Sequence, residues 1–348
     1  MTGLCVFGSG LVTPLGYNAP ATLAALRAGV SAVGTLPWAD PGADEPLKGA
    51  RVALPHWWFG VGMLADMIAP AIQECLLAAD SEPEEIPILL GVSSPSRVGR
   101  PAGLDETLLR EVHDRLAMRI HAQSGLIALD QAAGAQALLV AHQIISKQKA
   151  SRVIVAGVDS FLDLPVLASY MERRRLMTAT NSNGFFAAEA GCAVLVGPAD
   201  SPGSSRLSIL GIGTAREPAT IDGTDPLQAQ GLTQACQQAL QQAGVSMRDV
   251  ACRLTDLSGE HYKFKEAAFV AGRLDTVIRE AAQEVWHPIE YLGEIGAAIL
   301  PCLLAQALHA GRHGYAPGPV TLIHVGSDTG ERAAMVVRYD GSVLEDEL

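Results

Sequence analysis

An α/β fold built from two repeated halves is what this sequence of 348 residues predicts, and three observations predict it. Short apolar runs, partly β-branched and closed by Gly, Ser or Asp, alternate with longer stretches of helical spacing, the pattern of strands joined by helical crossovers. The strand-like runs are apolar at almost every position rather than at alternate ones, so the sheet is expected to be covered on both faces. Two stretches of the first half recur in the same order after a Pro/Gly/Ser-rich break, "GPADSPGSSR" at 197–206.

In chain order, "GLCVFGSG" reads as a strand, residues 63–79 as a helix and "IPILLGVSS" as a strand. Residues 104–123 then read as a helix, "GLIALD" as a strand, 133–147 as a helix, and "RVIVAGVD" and "GCAVLVG" as two more strands. Beyond the break, "LSILGIGTAREP" (207–218) echoes "LCVFGSGLVTP" (4–14). The later piece "GEIGAAILPCLLAQALHAGRHGYAPGPVTLIHVGSD" echoes "LDQAAGAQALLVAHQIISKQKASRVIVAGVDS": small residues, a long helix, then a strand ending in Gly and an acid. A duplicated, pseudo-symmetric chain follows, divided into residues 1–204 and 205–348.

Composition narrows the function. With 49% hydrophobic and 18% charged residues the chain is expected to bury a large core. A net charge of −12 argues against nucleic acid or an anionic membrane as partner. The six Cys are far apart, without a CxxC pair, as buried reduced thiols of a cytoplasmic protein are. Nothing in the sequence calls for a metal or a cofactor. The opening "MTGLCVFGSG" lacks a basic stretch and a cleavage site, so no secretory signal is expected. No uncharged apolar run reaches about 18 residues without a helix breaker.

The opening turn "GSGLVTPLG" and the segment "ASYMERRRLMTATNSNGFFAAEAGCAVLVG" resemble the thiolase-fold condensing enzymes, specifically the β-ketoacyl synthases. Gly184, Phe185, Glu189, Gly191, Val194, Leu195 and Val196 match that family's Gly-Phe-x-x-x-Glu-x-Gly-x-x-Val-Leu-Val pattern. The resemblance implies a thiolase-like fold with a five-layered α-β-α-β-α core. It also implies a homodimer or a heterodimer with another thiolase-fold chain, joined along the strand at 152–158.

That family works with a Cys at a helix N-terminus, which takes the acyl group, and two His residues that stabilise the enolate of a decarboxylating malonyl thioester. Anchoring on Gly134, Ala141 and the Ile144–Ile145 pair puts Gln131 in the Cys position; a slide of two residues puts Ala133 there. Residues 127–137 hold no thiol or hydroxyl at all. The Asn-x-His-Gly-Thr motif is matched by "DLSGE", with Asp256 for Asn, Ser258 for His and Gly259 for Gly. Gly-His-x-x-Gly-Ala-Ala is matched by "LGEIGAA", with Gly293 for His and Glu294 next to it. The Gly-Phe-Gly-Gly loop becomes "HVGSDTGERAA", keeping Gly326 and Gly330 but not the Phe. All three catalytic positions have changed, and without a nucleophile there is no acyl-enzyme.

Substitutes are weighed against plainer roles. Gln131 also stands in the Cys position of chain-length-factor partners and decarboxylating loading modules; its plainer role is to cap the helix that follows. His261 could return an imidazole to the pocket, but Tyr262, Lys263 and Lys265 around it read as the first turn of a surface-facing helix. Glu294 could serve as acid or base, or be the acidic residue a helix N-terminus favours. None of the six Cys stands at a helix N-terminus. Trp57 and Trp58 could anchor a partner or pack locally, and "MERRR" (171–175) could dock an acidic carrier protein or be a solvated face.

The sequence is therefore expected to encode a catalytically degenerate member of that class. As the resemblance has it, such a protein serves as the non-condensing half of a heterodimer, as chain length factors do, or as a type VI secretion accessory protein that meets an effector. The competing expectation is an active acyltransferase or malonyl-thioester decarboxylase that uses His261 or Glu294.

Overall fold

A computed structural model describes residues 3–40, 42–43, 45–56, 58–79, 81–199, 205–276 and 282–342. The first half runs β1 (Leu4–Val12), α1 (Ala19–Arg27), β2 (Gly34–Asp40), β3 (Glu45–Ala50), α2 (Val61–Leu77), β4 (Ile88–Val92) and α3 (Leu104–Leu116). It continues with β5 (Gly125–Ala128), α4 (Ala133–Ser146), β6 (Val153–Ser160), α5 (Leu164–Glu172) and β7 (Ala187–Pro198). The second half runs β8 (Ser205–Arg216), α6 (Gln230–Ala243), β9 (Cys252–Thr255), α7 (His261–Leu274), β10 (Glu284–Trp286), α8 (Ile289–Leu292), α9 (Ile299–Arg312), β11 (Val320–Gly326) and β12 (Glu331–Gly341). Residues 200–204 of the break, and Trp57, lie outside the described residues.

The repeat is plain in the strand order. One sheet half reads β5-β4-β6-β7-β1, the other β10-β9-β11-β12-β8, and β1 joins β8 antiparallel. β5, β4 and β6 run parallel and β7 antiparallel to β6 and β1; β10, β9, β11 and β12 repeat this, and β3 adds a short parallel pairing to the start of β7. α2, α3 and α4 in the first half correspond to α6, α7 and α9 in the second.

Period-two alternation builds the layers. Val153 and Val155 of β6 point into one cluster with α4 and α9, whereas Ile154 and Ala156 point into another with α2 and α3. In β12, Ala333, Met335 and Val337 join α4 and α9, and Ala334 and Val336 join α6. The order is thus α2/α3, sheet, α4/α9, sheet, α6/α7: five layers, with α4 and α9 at the centre. Their close approach depends on small residues. A Cβ on Gly134 of α4 would meet Leu300 Cβ of α9 at 2.9 Å, and one on Gly157 of β6 would meet the Ala297 carbonyl oxygen at 2.0 Å.

Three sequence expectations are corrected. The helix expected over 104–123 stops at Leu116, where Ala117 turns left-handed (φ 52°) and its N–H returns to the carbonyls of His113 and Asp114. The strand at 152–158, expected to join two subunits, is β6, hydrogen-bonded on both sides by β4 and β7. The first half's outer strand is β5, half-buried along its length and paired only with β4 among the described residues. Arg175 of "MERRR" is buried rather than solvated. No helix among the described residues is long and apolar enough to cross a membrane.

Glu189 of β7 ties β6 and the segment after β3 to its own strand. Its carboxylate accepts from Val52 N–H (3.1 Å) and from the Ser160 hydroxyl (2.9 Å), and burial pushes its pKa up to about 7 against these two bonds. A carboxyl group raised in the folded state contributes stability below its unfolded pKa, and that contribution is lost as pH rises through 7. Glu189→Gln, which keeps the shape, is therefore expected to gain in relative Tm between pH 5 and pH 8. Thermal melts of both proteins across that range check it; a constant difference would contradict the assignment.

Candidate functional site

Both central helices start in the same way. A 3-10 turn precedes each, Asp130–Ala132 before α4 and Gly296–Ala298 before α9, and each turn opens with a left-handed residue, Asp130 (φ 50°) and Gly296 (φ 53°). At Gly296 a Cβ would meet Asp159 Oδ2 at 2.0 Å, so only glycine fits. At Asp130 the conformation is held through the carboxylate, which accepts from Ser94 N–H (2.9 Å) and from Arg97.

Gln131 stands at the head of α4 and is 3% exposed. It does not cap its own helix: the Ala132 N–H goes to Ser327 Oγ (3.3 Å), and the Gln131 amide donates to Glu294 Oε1 (3.2 Å). Glu294, 2% exposed, also accepts from the Gly296 N–H (2.9 Å), so it caps the turn before α9. Its other oxygen accepts from Lys263 Nζ (3.3 Å). Lys263, 7% exposed, donates as well to Asp256 Oδ2 (3.0 Å) and to the Asp256 carbonyl (3.2 Å). Asp256 Oδ2 accepts in turn from the Gly326 N–H (3.0 Å). One chain of contacts, Gln131–Glu294–Lys263–Asp256, thus crosses the junction of the two halves.

Two arginines flank it. Arg97 joins Asp130 to Asp159 (2.6 Å), and Asp159 accepts from the Ala297 N–H at the head of α9 (3.0 Å). Arg175 forks onto Glu260 (2.7 and 3.0 Å) and Asp328 (2.7 and 3.0 Å), with the Tyr170 hydroxyl on Asp328 (2.9 Å). Burial works against the charge of Lys263, but Asp256 and Glu294 outweigh it and hold the ammonium above the ordinary lysine range. Burial likewise opposes the Asp328 charge, and Arg175 overrides it, keeping that carboxyl well below the usual range. Burial raises Asp159 to about 6 despite Arg97.

This is chemistry of neutralisation. The lysine is kept protonated, so it offers no lone pair for attack, and the amide of Gln131 is no nucleophile. All six cysteines are buried and none stands at the head of α4 or α9. The cavity lined by Asp256, Lys263, His324 and Arg332 measures about 10 Å³, the room of one water.

The other expected positions fall as follows. Ala133 packs toward Gly91 of β4 and away from the contact chain: a Cβ on Gly91 would lie 2.8 Å from its methyl. Ser258 donates to Glu260 (3.2 Å), at the Arg175 edge of the network. Gly293 has φ 75°, and a Cβ there would strike Ala188 Cβ at 2.6 Å and the Phe186 carbonyl oxygen at 2.8 Å, so this backbone has no place for an imidazole. His261, the first residue of α7, is exposed; its backbone N–H donates to Asn183 Oδ1 (2.8 Å), and its imidazole has no hydrogen bond among the described residues. The structure therefore brings Gln131 and Glu294 together and leaves His261 outside. Lys263 and Arg175, the cations that complete the network, were expected on the surface. For Lys263 a signal was present: with Glu266, Ala267 and Val270 it forms the i, i+3, i+4, i+7 stripe that α7 buries.

No protein-family model matches the chain, and no curated protein matches it. Solved structures do share its fold. The chain is similar to the ishigamide ketosynthase/chain length factor, with 20% identity and a TM-score of 0.69 over 97% of this chain and 100% of that one. It is similar to a ketosynthase chain length factor complex from Xenorhabdus doucetiae, with 14% identity and a TM-score of 0.65 over 97% and 98%. A type II polyketide carrier protein in complex with its ketosynthase matches with 14% identity and a TM-score of 0.76 over 97% and 99%. The likeness is one of fold: a thiolase-like α/β chain, as in ketosynthases and chain length factors.

Proposed function

We propose, from a fold shared with ketosynthases and chain length factors, that this chain is a non-condensing protein that works as the partner or scaffold of another thiolase-fold chain. The observation that carries the reading is the Gln131–Glu294–Lys263–Asp256 chain: where a condensing enzyme holds its acyl group, a buried lysine here lies between two carboxylates, one of which also accepts from the Gln131 amide, whose own oxygen has no hydrogen-bond partner among the described residues. With its reacting centre spent on an ion network, such a chain acts through its surface. The outer strand β5, which among the described residues pairs on one side alone, offers its other edge to a partner's strand, and the complexes of similar fold support a thiolase-fold partner and a carrier protein. The division into 1–204 and 205–348 is part of the same reading.

Intact-mass spectrometry tests it. After incubation with acetyl and malonyl thioesters the chain is expected to keep its unmodified mass. A covalently acylated side chain, lost in Gln131→Ala or Glu294→Ala, would instead establish the altered acyltransferase.

A further inference from the structure

Two of the three asparagines of the chain stand in the loop "NSNG" at 181–184, and the fold treats them differently. Asn181 is fully engaged. Its amide donates to the carbonyls of Arg174 (2.8 Å), Leu176 (2.8 Å) and Asn183 (3.2 Å), and its Oδ1 accepts from the Asn183 N–H (3.2 Å). Asn183 is exposed, and its own side-chain NH2 donates to no described residue. Its Oδ1 accepts from the backbone N–H of His261, the first residue of α7 (2.8 Å). That donor lies at the positive end of a 14-residue helix, so it draws electron density from the Asn183 amide carbon.

The residue that follows is a buried glycine whose N–H makes no hydrogen bond among the described residues. Such a backbone group is rare, because folding pairs nearly all of them. No larger residue fits there: a Cβ on Gly184 would lie 2.5 Å from the Leu176 carbonyl carbon. A nitrogen without a partner therefore stands next in the chain to a polarised amide. A bond between the two closes a five-membered ring, and ring closure within one molecule is strongly favoured over attack from solution.

We propose that Asn183 is a site of spontaneous deamidation, with the Gly184 nitrogen as nucleophile and the head of α7 as the donor to the oxyanion. The Gly184 nitrogen bonds to Asn183 Cγ and gives up its proton; the Cγ–Nδ2 bond breaks, and ammonia leaves with that proton. The charge that builds on Oδ1 in between falls on the His261 N–H. Water then opens the cyclic imide on one side or the other, leaving an aspartate or an isoaspartyl link at position 183. The aspartate keeps the bond to α7 and adds negative charge where a helix favours it. The isoaspartyl link lengthens the main chain by one carbon beside the tightly packed Gly184. That product is expected to disturb the neighbouring bond from the Phe185 N–H to the Arg175 carbonyl (2.9 Å). Water is the one co-reactant, and the reaction does not depend on the proposed non-condensing role.

Peptide mapping by mass spectrometry of the full, folded chain held at pH 8 tests the proposal. Asn183 is expected to lose its amide about tenfold faster than Asn18 or Asn181, which have no such ring closure onto glycine. His261→Pro then isolates the part played by the helix, because it removes the N–H that meets Asn183. Proline is at home in the first position of a helix, and Glu260 before it is already extended (φ −88°, ψ 124°), as a residue before proline has to be. This variant is expected to slow the loss at Asn183 about tenfold, less than a donor is worth in an enclosed active site because water reaches the loop. The comparison of the three asparagines needs no variant to fold. Asn183 losing its amide no faster than Asn18 and Asn181, or a folded His261→Pro chain losing it at the original rate, would overturn the proposal.

Discussion

Lys263→Met is expected to cost about 3–5 kcal/mol of folding stability, the usual consequence of removing one partner from a buried ion network. Methionine fits the stem of the lysine, so packing changes little; what changes is charge. Asp256 and Glu294, both buried, lose the ammonium that neutralises them, while Gln131 and backbone N–H groups remain as their donors. One carboxylate must then take up a proton or stay buried and uncompensated. Adding Glu294→Gln removes one of the stranded charges, so the double variant is expected to recover part of the loss. Urea unfolding at neutral pH reads both effects. A loss below about 1 kcal/mol would mean that the network is solvated and not the keystone described above.

The second large effect concerns assembly through β5. Alternate residues of an outer strand direct their N–H and C=O toward the neighbouring strand or away from it, and among the described residues β5 has only β4 beside it. Leu126 and Ile127 are adjacent, so one of them directs its backbone away from β4. Of Leu126→Pro and Ile127→Pro, one is therefore expected to spare the β4 pairing, since proline is tolerated on an outer strand when the missing N–H faces outward. That variant is expected to stay folded and to lose its partner almost completely when tagged chain is recovered from native cells. The other is expected to lose stability. If a folded proline variant still brings a thiolase-fold chain with it, β5 is not the joining edge.

The elements were largely legible because burial on both faces writes itself into sequence: "RVIVAGVD" and "IPILLGVSS" can be little other than interior strands of a covered sheet. The same property shows why 152–158 was a poor choice for a subunit edge. A run that apolar belongs in the middle of a sheet, whereas the outer strand, "GLIA", is four residues long and half-buried. The heads of α4 and α9 were legible through their motifs, down to Gln131 and Glu294. Their partners were not. Lys263 and Arg175 sit in charged surroundings, and linear sequence does not show that Asp256, Glu260 and Asp328 converge on them across the fold. Only the apolar spacing after Lys263 hinted at burial, and the neighbouring His261 and Lys265, both exposed, masked it.

Release of carbon dioxide from a malonyl thioester tests the absence of condensing chemistry most directly, because it needs neither an acyl acceptor nor a second substrate. Supplied with malonyl-loaded carrier protein, alone or with any thiolase-fold chain recovered with it and stripped of its nucleophile, this protein is expected to release it no faster than buffer. Release well above that background, abolished by Glu294→Ala in a chain that still folds, would contradict the account.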